Sequence, residues 1–182
     1  IHAEVIRERE LENRASRDSL TGLYNKQTME RQIEMFLRSP AEKSRVHTLF
    51  FMDIDDFKQI NDTWGHPEGD QCLLRLSRLL SSIFRKNDWI GRVGGDEFMV
   101  FAQNTDSIKF IHRVTRAIFQ GLERETEENR KFSVSLGVAM YPDCPTFQQL
   151  YYQADQAVYC SKAAGKKCIT IYDHGEYTVV SP

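Results

Sequence analysis

Cysteine, proline and any excess of one charge are scarce in this chain. Of its 182 residues only four are Cys and five are Pro. Cys72, Cys144, Cys160 and Cys168 show no C-x-x-C spacing, so neither a disulfide framework nor a zinc ribbon is expected, and reduced thiols in a cytosolic domain follow. Lys and Arg number 24 against 26 Asp and Glu, a net charge of -2. That balance leaves no electrostatic footprint for duplex nucleic acid or for an anionic membrane. No apolar run approaches the roughly 18–20 residues that span a bilayer, and no signal peptide precedes the first charges. Several signatures are missing as well. There is no G-x-x-x-x-G-K-S/T phosphate loop, no G-x-G-x-x-G and no G-x-S-x-G elbow. His2, His47, His66, His112 and His174 lack ligand spacing, which argues against zinc.

What is present is an ordinary globular composition, 41% hydrophobic and 27% charged, which excludes disorder and a coiled coil alone. At about 150 residues per domain, one domain plus an appendage fits. The chain opens on Ile1 rather than Met, so it is expected to be cut from something longer. Residues 1–17 carry Glu4, Arg7, Glu8, Arg9, Glu10, Glu12 and Arg14 around a patchy apolar stripe. They read as the end of a helix whose partner lies outside the core.

Asp18 to Gly22 breaks that helix, and a second spans residues 26–38. Thr48 to Met52 is a continuous apolar run, hence a strand buried on both faces, with Asp53, Asp55 and Asp56 emerging at its end. Gly65 and Pro67 mark a loop. Leu73, Leu76, Leu80 and Ile83 recur at helical steps. Residues 89–93 and 98–101 flank Gly94-Gly95 as a hairpin. Ile108, Ile111, Val114, Ile118 and Leu122 give another helix. Phe132, Val134, Leu136, Val138 and Met140 alternate with small residues, a strand with one face open to close packing. A helix over 147–164 and a strand over 168–172 follow, then a tail with little pattern. The hairpin requires antiparallel pairing, so the class is α+β: a single domain with a central, mostly antiparallel sheet flanked by helices.

Acids at two turns that a sheet can bring together supply the chemistry. Asp53 and Asp55 end one strand, and Asp96 and Glu97 sit in the hairpin turn. Oxygen ligands from adjacent loops suit a hard cation such as Mg²⁺ with phosphate completing its shell. Taken alone, each feature also has a plain reading as solvated turn residues. Gly94 and Gly95 either make a tight hairpin or let backbone approach a bulky ligand. Lys162 and Lys166 share a helix face, as C-terminal cations or as partners of terminal phosphates. Arg85 and Asp88 are a surface turn, or a fork and an acceptor for guanine. Asn61 and Asp70 bracket the loop containing His66 as turn and helix-start residues.

Together these residues are recognisable. Gly94-Gly95-Asp96-Glu97-Phe98 is the signature of the GGDEF family of bacterial diguanylate cyclases, and other blocks resemble that family in order. Asp18-Ser19-Leu20-Thr21-Gly22-Leu23-Tyr24-Asn25 is similar to its opening D-x-L-T-G-L-x-N. Phe51 through Asp55, Phe57-Lys58, Ile60-Asn61-Asp62, Gly65-His66 and Gly69-Asp70 resemble its central block. Ala154-Asp155, Ala157, Tyr159, Lys162 and Gly165-Lys166 resemble its closing block. Ser161 stands where Ala is usual, and Lys166 where Arg is commoner. Lys neutralises phosphate without forming a bidentate fork, which predicts a weaker terminal-phosphate contact.

The resemblance implies a fold like the nucleotidyl cyclase and polymerase palm (ferredoxin-like) and the condensation of two GTP into cyclic di-GMP and two pyrophosphates. It implies two Mg²⁺ (or Mn²⁺) per active site, held by Asp53, Asp96 and the Ile54 carbonyl, with Glu97 nearby and helping to deprotonate the 3′-hydroxyl. Asn61 and Asp70 would bind guanine. Phe57 and Lys58 would lie in the turn whose backbone cradles the phosphates, and Gly94 and Gly95 would also bind substrate. Lys162 and Lys166 would neutralise the triphosphate, and Arg85 and Asp88 would form an R-x-x-D inhibitory site for product. A carboxylate at Asp70 accepts from guanine N1–H and N2–H, a pair adenine lacks, which favours GTP over ATP. Activity would need an antiparallel homodimer and no nucleic acid polymer. The other reading is a silent cyclic di-GMP receptor or dimerisation module, which has no need of intact metal ligands. The expected organisation is a stalk helix at 1–17 below a missing sensor, the cyclase domain at 18–173 and a tail at 174–182. The domain is expected to be cytoplasmic, with the full-length protein anchored or not by its missing part.

Overall fold

The apolar run at 48–52 is the middle of strand β1 (His47–Ile54), buried along its whole length in the computed structural model, which describes residues 15–105, 108–124 and 131–181. Its neighbours explain that burial. Phe50, Met52 and Ile54 join one core with α3 (His66–Ile83) and α4 (Ile108–Arg124). Leu49 and Phe51 join a second core with α1 (Lys26–Leu37) and α5 (Phe147–Ala163). Successive side chains of a strand face opposite ways, so a strand covered on both faces is apolar throughout.

The other elements are α2 (Phe57–Trp64) and strands β2 (Trp89–Arg92), β3 (Glu97–Ala102), β4 (Val134–Tyr141), β5 (Ile169–Asp173) and β6 (Glu176–Val180). They form one sheet in the order β2-β3-β1-β4-β5-β6. Only β4 and β5 run parallel; the remaining ladders are antiparallel. The α+β class and the mostly antiparallel sheet are therefore as expected.

The small-residue face of β4 receives α5. A Cβ on Gly137 would fall 2.0 Å from the Ala154 carbonyl oxygen and 2.5 Å from the Val158 nitrogen, so helix and strand meet backbone to backbone. This contact sets the height of α5 over the sheet, and with it the reach of Lys162.

Three local expectations need correction. The expected loop at Gly65 and Pro67 is a sharp junction between two helices. Gly65, at φ 86°, closes α2, and Pro67 stands in the first turn of α3, where its missing N–H is harmless. Phe57 and Lys58 accordingly open α2 rather than lie in a turn; the turn is Asp55-Asp56, with Asp56 left-handed at φ 55°. Residues 174–182 are not a featureless tail, because β6 pairs antiparallel with β5. His174 (φ 45°) and Gly175 (φ 92°) make a two-residue left-handed turn, the geometry that matches strand twist. Asp143 holds it by accepting the His174 N–H at 2.8 Å. The stalk expected at 1–17 lies almost wholly outside the described residues.

Residues 18–25 order themselves locally. The Asp18 carboxylate accepts from the Thr21 N–H (2.8 Å) and hydroxyl (2.7 Å), and Gly22 takes φ 71°. Asn25 then caps α1 by accepting from the Thr28 N–H at 3.0 Å.

Candidate active site

Antiparallel register sets Asp53, near the end of β1, directly against Glu97, the first residue of β3. Asp96 is fastened beside them, its carbonyl accepting the Ile54 N–H at 3.2 Å. The strand and hairpin expected to bring their acids together do so. The oxygens of Asp53, Asp96 and Glu97 do not all lie within 4.8 Å of one another, so they border a common space rather than a closed chelate.

Electrostatics mark that space as short of positive charge. Burial raises the Asp53 carboxyl above its ordinary range, and Asp96 and Asp55 push the same way against Lys162. Burial likewise raises Glu97, helped by Asp53, Asp96 and Asp155 and opposed by Lys26. Lys162 Nζ stands 2.6 Å from Asp53 Oδ1 as the ion partner of that carboxylate. Hard oxygen donors and like charges held together, answered by lysine only in part, fit a divalent cation. Asp53, Asp96, Glu97 and the Ile54 carbonyl are the groups able to hold one.

Glycine controls how the carboxylates sit. A Cβ on Gly94 would meet Glu97 Oε2 at 2.1 Å, so the Glu97 carboxylate folds over a place that only glycine leaves empty. Gly95 has nothing within 4 Å of its own Cβ position and faces open space. Gly69 plays the first part between α2 and α3, where its Cβ position is 2.0 Å from Asn61 Oδ1 and 3.2 Å from the Phe57 ring. Asn61 and Phe57 are thereby pressed against the start of α3, with exposed Asp70 the next residue along.

Lys162 lies in the last turn of α5, but Lys166, expected on the same helix face, falls in the loop beyond Ala163 at φ 66°, so the two cations do not share a helix. Lys166 Nζ bonds Asp56 Oδ1 at 2.6 Å, beside the Asp53–Lys162 pair. Reading the sequence missed what fixes this loop. Asp55 accepts from the Ser133 hydroxyl (2.6 Å), the Ser135 hydroxyl (2.6 Å) and the Lys167 N–H (3.2 Å). It is an organiser of the post-α5 loop, and Ser135 opposite Asp53 in register was its available signal. Arg92 was missed too. It donates to both Asp18 oxygens (3.2 Å) and to the Gly95 carbonyl (2.7 and 3.1 Å), tying the first turn to the signature turn.

Arg85 and Asp88 lie together at the opposite end of the β2–β3 hairpin. Asp88 is buried, its oxygens accepting the Arg85 N–H (2.9 Å) and the Gln103 N–H (3.0 Å); Arg85 is exposed. They are remote from the carboxylates.

A family profile described as "Diguanylate cyclase, GGDEF domain" matches residues 15–168. The chain belongs to the GGDEF diguanylate cyclase family. It is 37% identical over 166 residues to the "Probable diguanylate cyclase DgcC" of Escherichia coli K12, covering 87% of this chain and 43% of that protein. It is 32% identical over 162 residues to "Diguanylate cyclase DosC" of the same strain, covering 85% of this chain and 35% of that one. The chain thus spans less than half the length of these GGDEF relatives. Among solved structures, the coiled coil and GGDEF domain of DgcB from Caulobacter crescentus, in complex with c-di-GMP, superposes with a TM-score of 0.83 at 26% identity, over 94% of this chain and 95% of that one. The GGDEF domain of TpbB from Pseudomonas aeruginosa gives 0.80 at 29%, over 87% and 95%. These GGDEF likenesses carry the palm-like cyclase fold expected from the motifs. No helix among the described residues is long and apolar enough to cross a membrane.

Proposed function

We propose that this GGDEF domain is a diguanylate cyclase that condenses two GTP into cyclic di-GMP with release of two pyrophosphates. The observation that carries the reading is the Asp53–Glu97 register, which sets a buried and a half-buried carboxylate opposite each other at the ends of two strands, where both are raised in pKa by burial and by each other's neighbours. A receptor would have no use for so costly a cluster of like charge.

Asp53, Asp96, Glu97 and the Ile54 carbonyl hold two Mg²⁺ or Mn²⁺ in this reading. When bound, the cations supply charge stabilisation at the α-phosphate and leaving pyrophosphate and acidify the 3′-hydroxyl. Glu97 would help to remove the proton at the 3′-oxygen. Asn61 and Asp70 read the guanine edge from the α2–α3 junction. The N-terminus of α2, at Phe57 and Lys58, faces phosphate with unpaired N–H groups. Gly94 and Gly95 let the nucleotide approach the signature turn. Lys162 and Lys166 leave Asp53 and Asp56 to neutralise the triphosphate. Each domain supplies one such site, so a second copy, antiparallel and carrying the other GTP, completes the reaction. Product binding at Arg85, with Asp88 shaping the turn, limits turnover. A sensor domain upstream in the full-length protein, coupled through a stalk at 1–17, would govern pairing.

Incubation of the chain at high concentration with GTP and Mg²⁺, followed by chromatography of the nucleotides, tests this. Cyclic di-GMP formed at a rate rising faster than linearly with protein is the expected result. Absence of product under forced dimerisation, with cyclic di-GMP still bound in calorimetry, would overturn it in favour of a receptor.

A further inference from the structure

The two edges of the sheet are treated differently. At β2 the edge is covered by the first turn: Tyr24 bridges Gly91, its N–H bonding the Ile90 carbonyl and its carbonyl accepting from the Arg92 N–H. At β6 nothing among the described residues pairs with the outer side. Edge strands are usually guarded by Lys, Pro, a bulge or a covering element. Glu176–Val180 has no Lys, no Pro and an unbroken register with β5, while Tyr177 is 39% and Val179 45% exposed.

Register decides which main-chain groups face outward. His174 and Gly175 form a two-residue loop, and Asp173 and Glu176 flank it as the closing pair. Residues flanking such a loop exchange both main-chain hydrogen bonds, and the pattern alternates from there. Ile171–Thr178 and Ile169–Val180 are then bonded within the hairpin. Tyr177 and Val179, the positions between, turn their N–H and C=O away from β5.

We propose that this free edge pairs antiparallel with the same edge of a second copy of the chain, about a two-fold axis at Thr178. In that register Tyr177 lies opposite Val179 of the second copy, and Val179 opposite its Tyr177. Both positions have outward-facing groups, so four main-chain hydrogen bonds form without disturbing the β5 ladder. Thr178 meets its own copy, and Glu176 lies opposite Val180, so no like charges are opposed. Aromatic with β-branched and Thr with Thr are favourable cross-strand pairs. The sequence is thus complementary to itself, which selects a second copy over a foreign strand, and a two-fold contact closes at the dimer instead of growing a fibre. One pair of five-residue strands makes a small, concentration-dependent interface. It needs no nucleotide and uses none of the carboxylate site, so it goes beyond the pairing required for catalysis.

Sedimentation velocity of the 182-residue chain without nucleotide, over a concentration series, tests the proposal. Wild type dimerises reversibly. Thr178→Lys and Thr178→Glu each set like charges across the axis and weaken association at least about tenfold. An equimolar mixture of the two restores it as a heterodimer, because Lys then meets Glu. Val179→Pro removes an outward N–H at an edge position that tolerates Pro, and gives a folded monomer by circular dichroism. A wild type monomeric throughout overturns the proposal. So do charge variants that dimerise like wild type, which would place the contact on another face, or a mixture that stays monomeric.

Discussion

Asp53 and Glu97 are direct partners across the β1–β3 ladder, so a single backbone register places both acids on the α1–α5 face of the sheet. Neither can move without shifting a ladder that runs from Thr48–Ala102 to Asp53–Glu97. Like charge is therefore built in rather than relaxed away, and Lys162 and Lys26 offset it only in part. The fold stores a demand for cations at one end of the sheet.

The Glu97 carboxylate depends on Gly94 having no side chain. Gly94→Ala would put a Cβ 2.1 Å from Glu97 Oε2 and drive the carboxylate to another rotamer. The expected outcome is a loss of turnover approaching that of Glu97→Ala, on the order of 10²-fold or more, with melting temperatures close to wild type in both. Full activity in Gly94→Ala would show that the observed carboxylate position is not the working one.

Lys162 answers the buried charge of Asp53 while no metal is present. In Lys162→Ala that carboxylate loses its ion partner, and breaking a largely buried pair costs about 3–5 kcal/mol at full burial and less here, where Lys162 is 38% exposed. A cation that binds only the folded state recovers stability by mass action. Thermal melts should therefore show a lower midpoint for the variant without metal and a larger upward shift than wild type on adding Mn²⁺. Equal shifts in the two proteins would mean that lysine and metal do not share Asp53.

Much of this was legible in the sequence because continuous or strictly alternating apolar patterns admit few readings. Thr48–Met52 read as buried on both faces, and the small residues Ser135, Gly137 and Ala139 marked a face open to close packing, which α5 fills. The acids at 53, 96 and 97 followed from which strand ends met. What escaped was decided by single backbone conformations and long-range bonds. His174-Gly175 turns like Asn-Gly without its spelling, so β6 was missed. Gly65 hides a helix junction because its left-handed φ lets two helices meet without a loop. Asp55 is identical in type to Asp53, and only its bonds to Ser133, Ser135 and Lys167 separate an organiser from a ligand.

Gly137 is the point where α5 rests on the sheet. Gly137→Ala would drive a methyl against the Ala154 carbonyl and Val158 nitrogen, which are backbone and cannot rotate aside. Overpacking of this kind costs roughly 1–3 kcal/mol, and more where backbone must shift. Urea unfolding should show the loss, together with weaker GTP binding as α5 carries Lys162, and the loop behind it Lys166, outward. An unchanged urea midpoint would mean that the helix slides freely.

Arg85 and Asp88 should part company on mutation, although they share a motif. Arg85 is exposed, so Arg85→Ala should relieve product inhibition and leave stability within about 0.5 kcal/mol of wild type. Asp88 is buried and accepts two main-chain N–H groups. Asp88→Ala strands both donors, at about 1–3 kcal/mol each, and should lower the urea midpoint as well as inhibition. Equal stability of the two variants would contradict the turn-forming role of Asp88.

His47 should make stability fall on mild acidification. It is fully buried among Phe36, Phe101 and Tyr141, and its Nδ1 accepts the Asn104 N–H at 3.1 Å. Burial lowers its pKa below the ordinary value, and Arg45 adds to this, while Glu42, 3.3 Å from Nε2, acts in the opposite direction. Above about pH 6.5, the unfolded value, neither state binds the proton. Below it the unfolded chain takes up a proton that the folded chain refuses, so stability drops with falling pH until the lowered folded pKa is passed. One proton limits the slope to about 1.4 kcal/mol per pH unit. His47→Gln keeps an acceptor for Asn104 and has nothing to titrate. Urea midpoints measured between pH 7.5 and 5 should fall less steeply for the variant, even though its absolute stability is lower. Parallel slopes would assign the acid sensitivity to other groups.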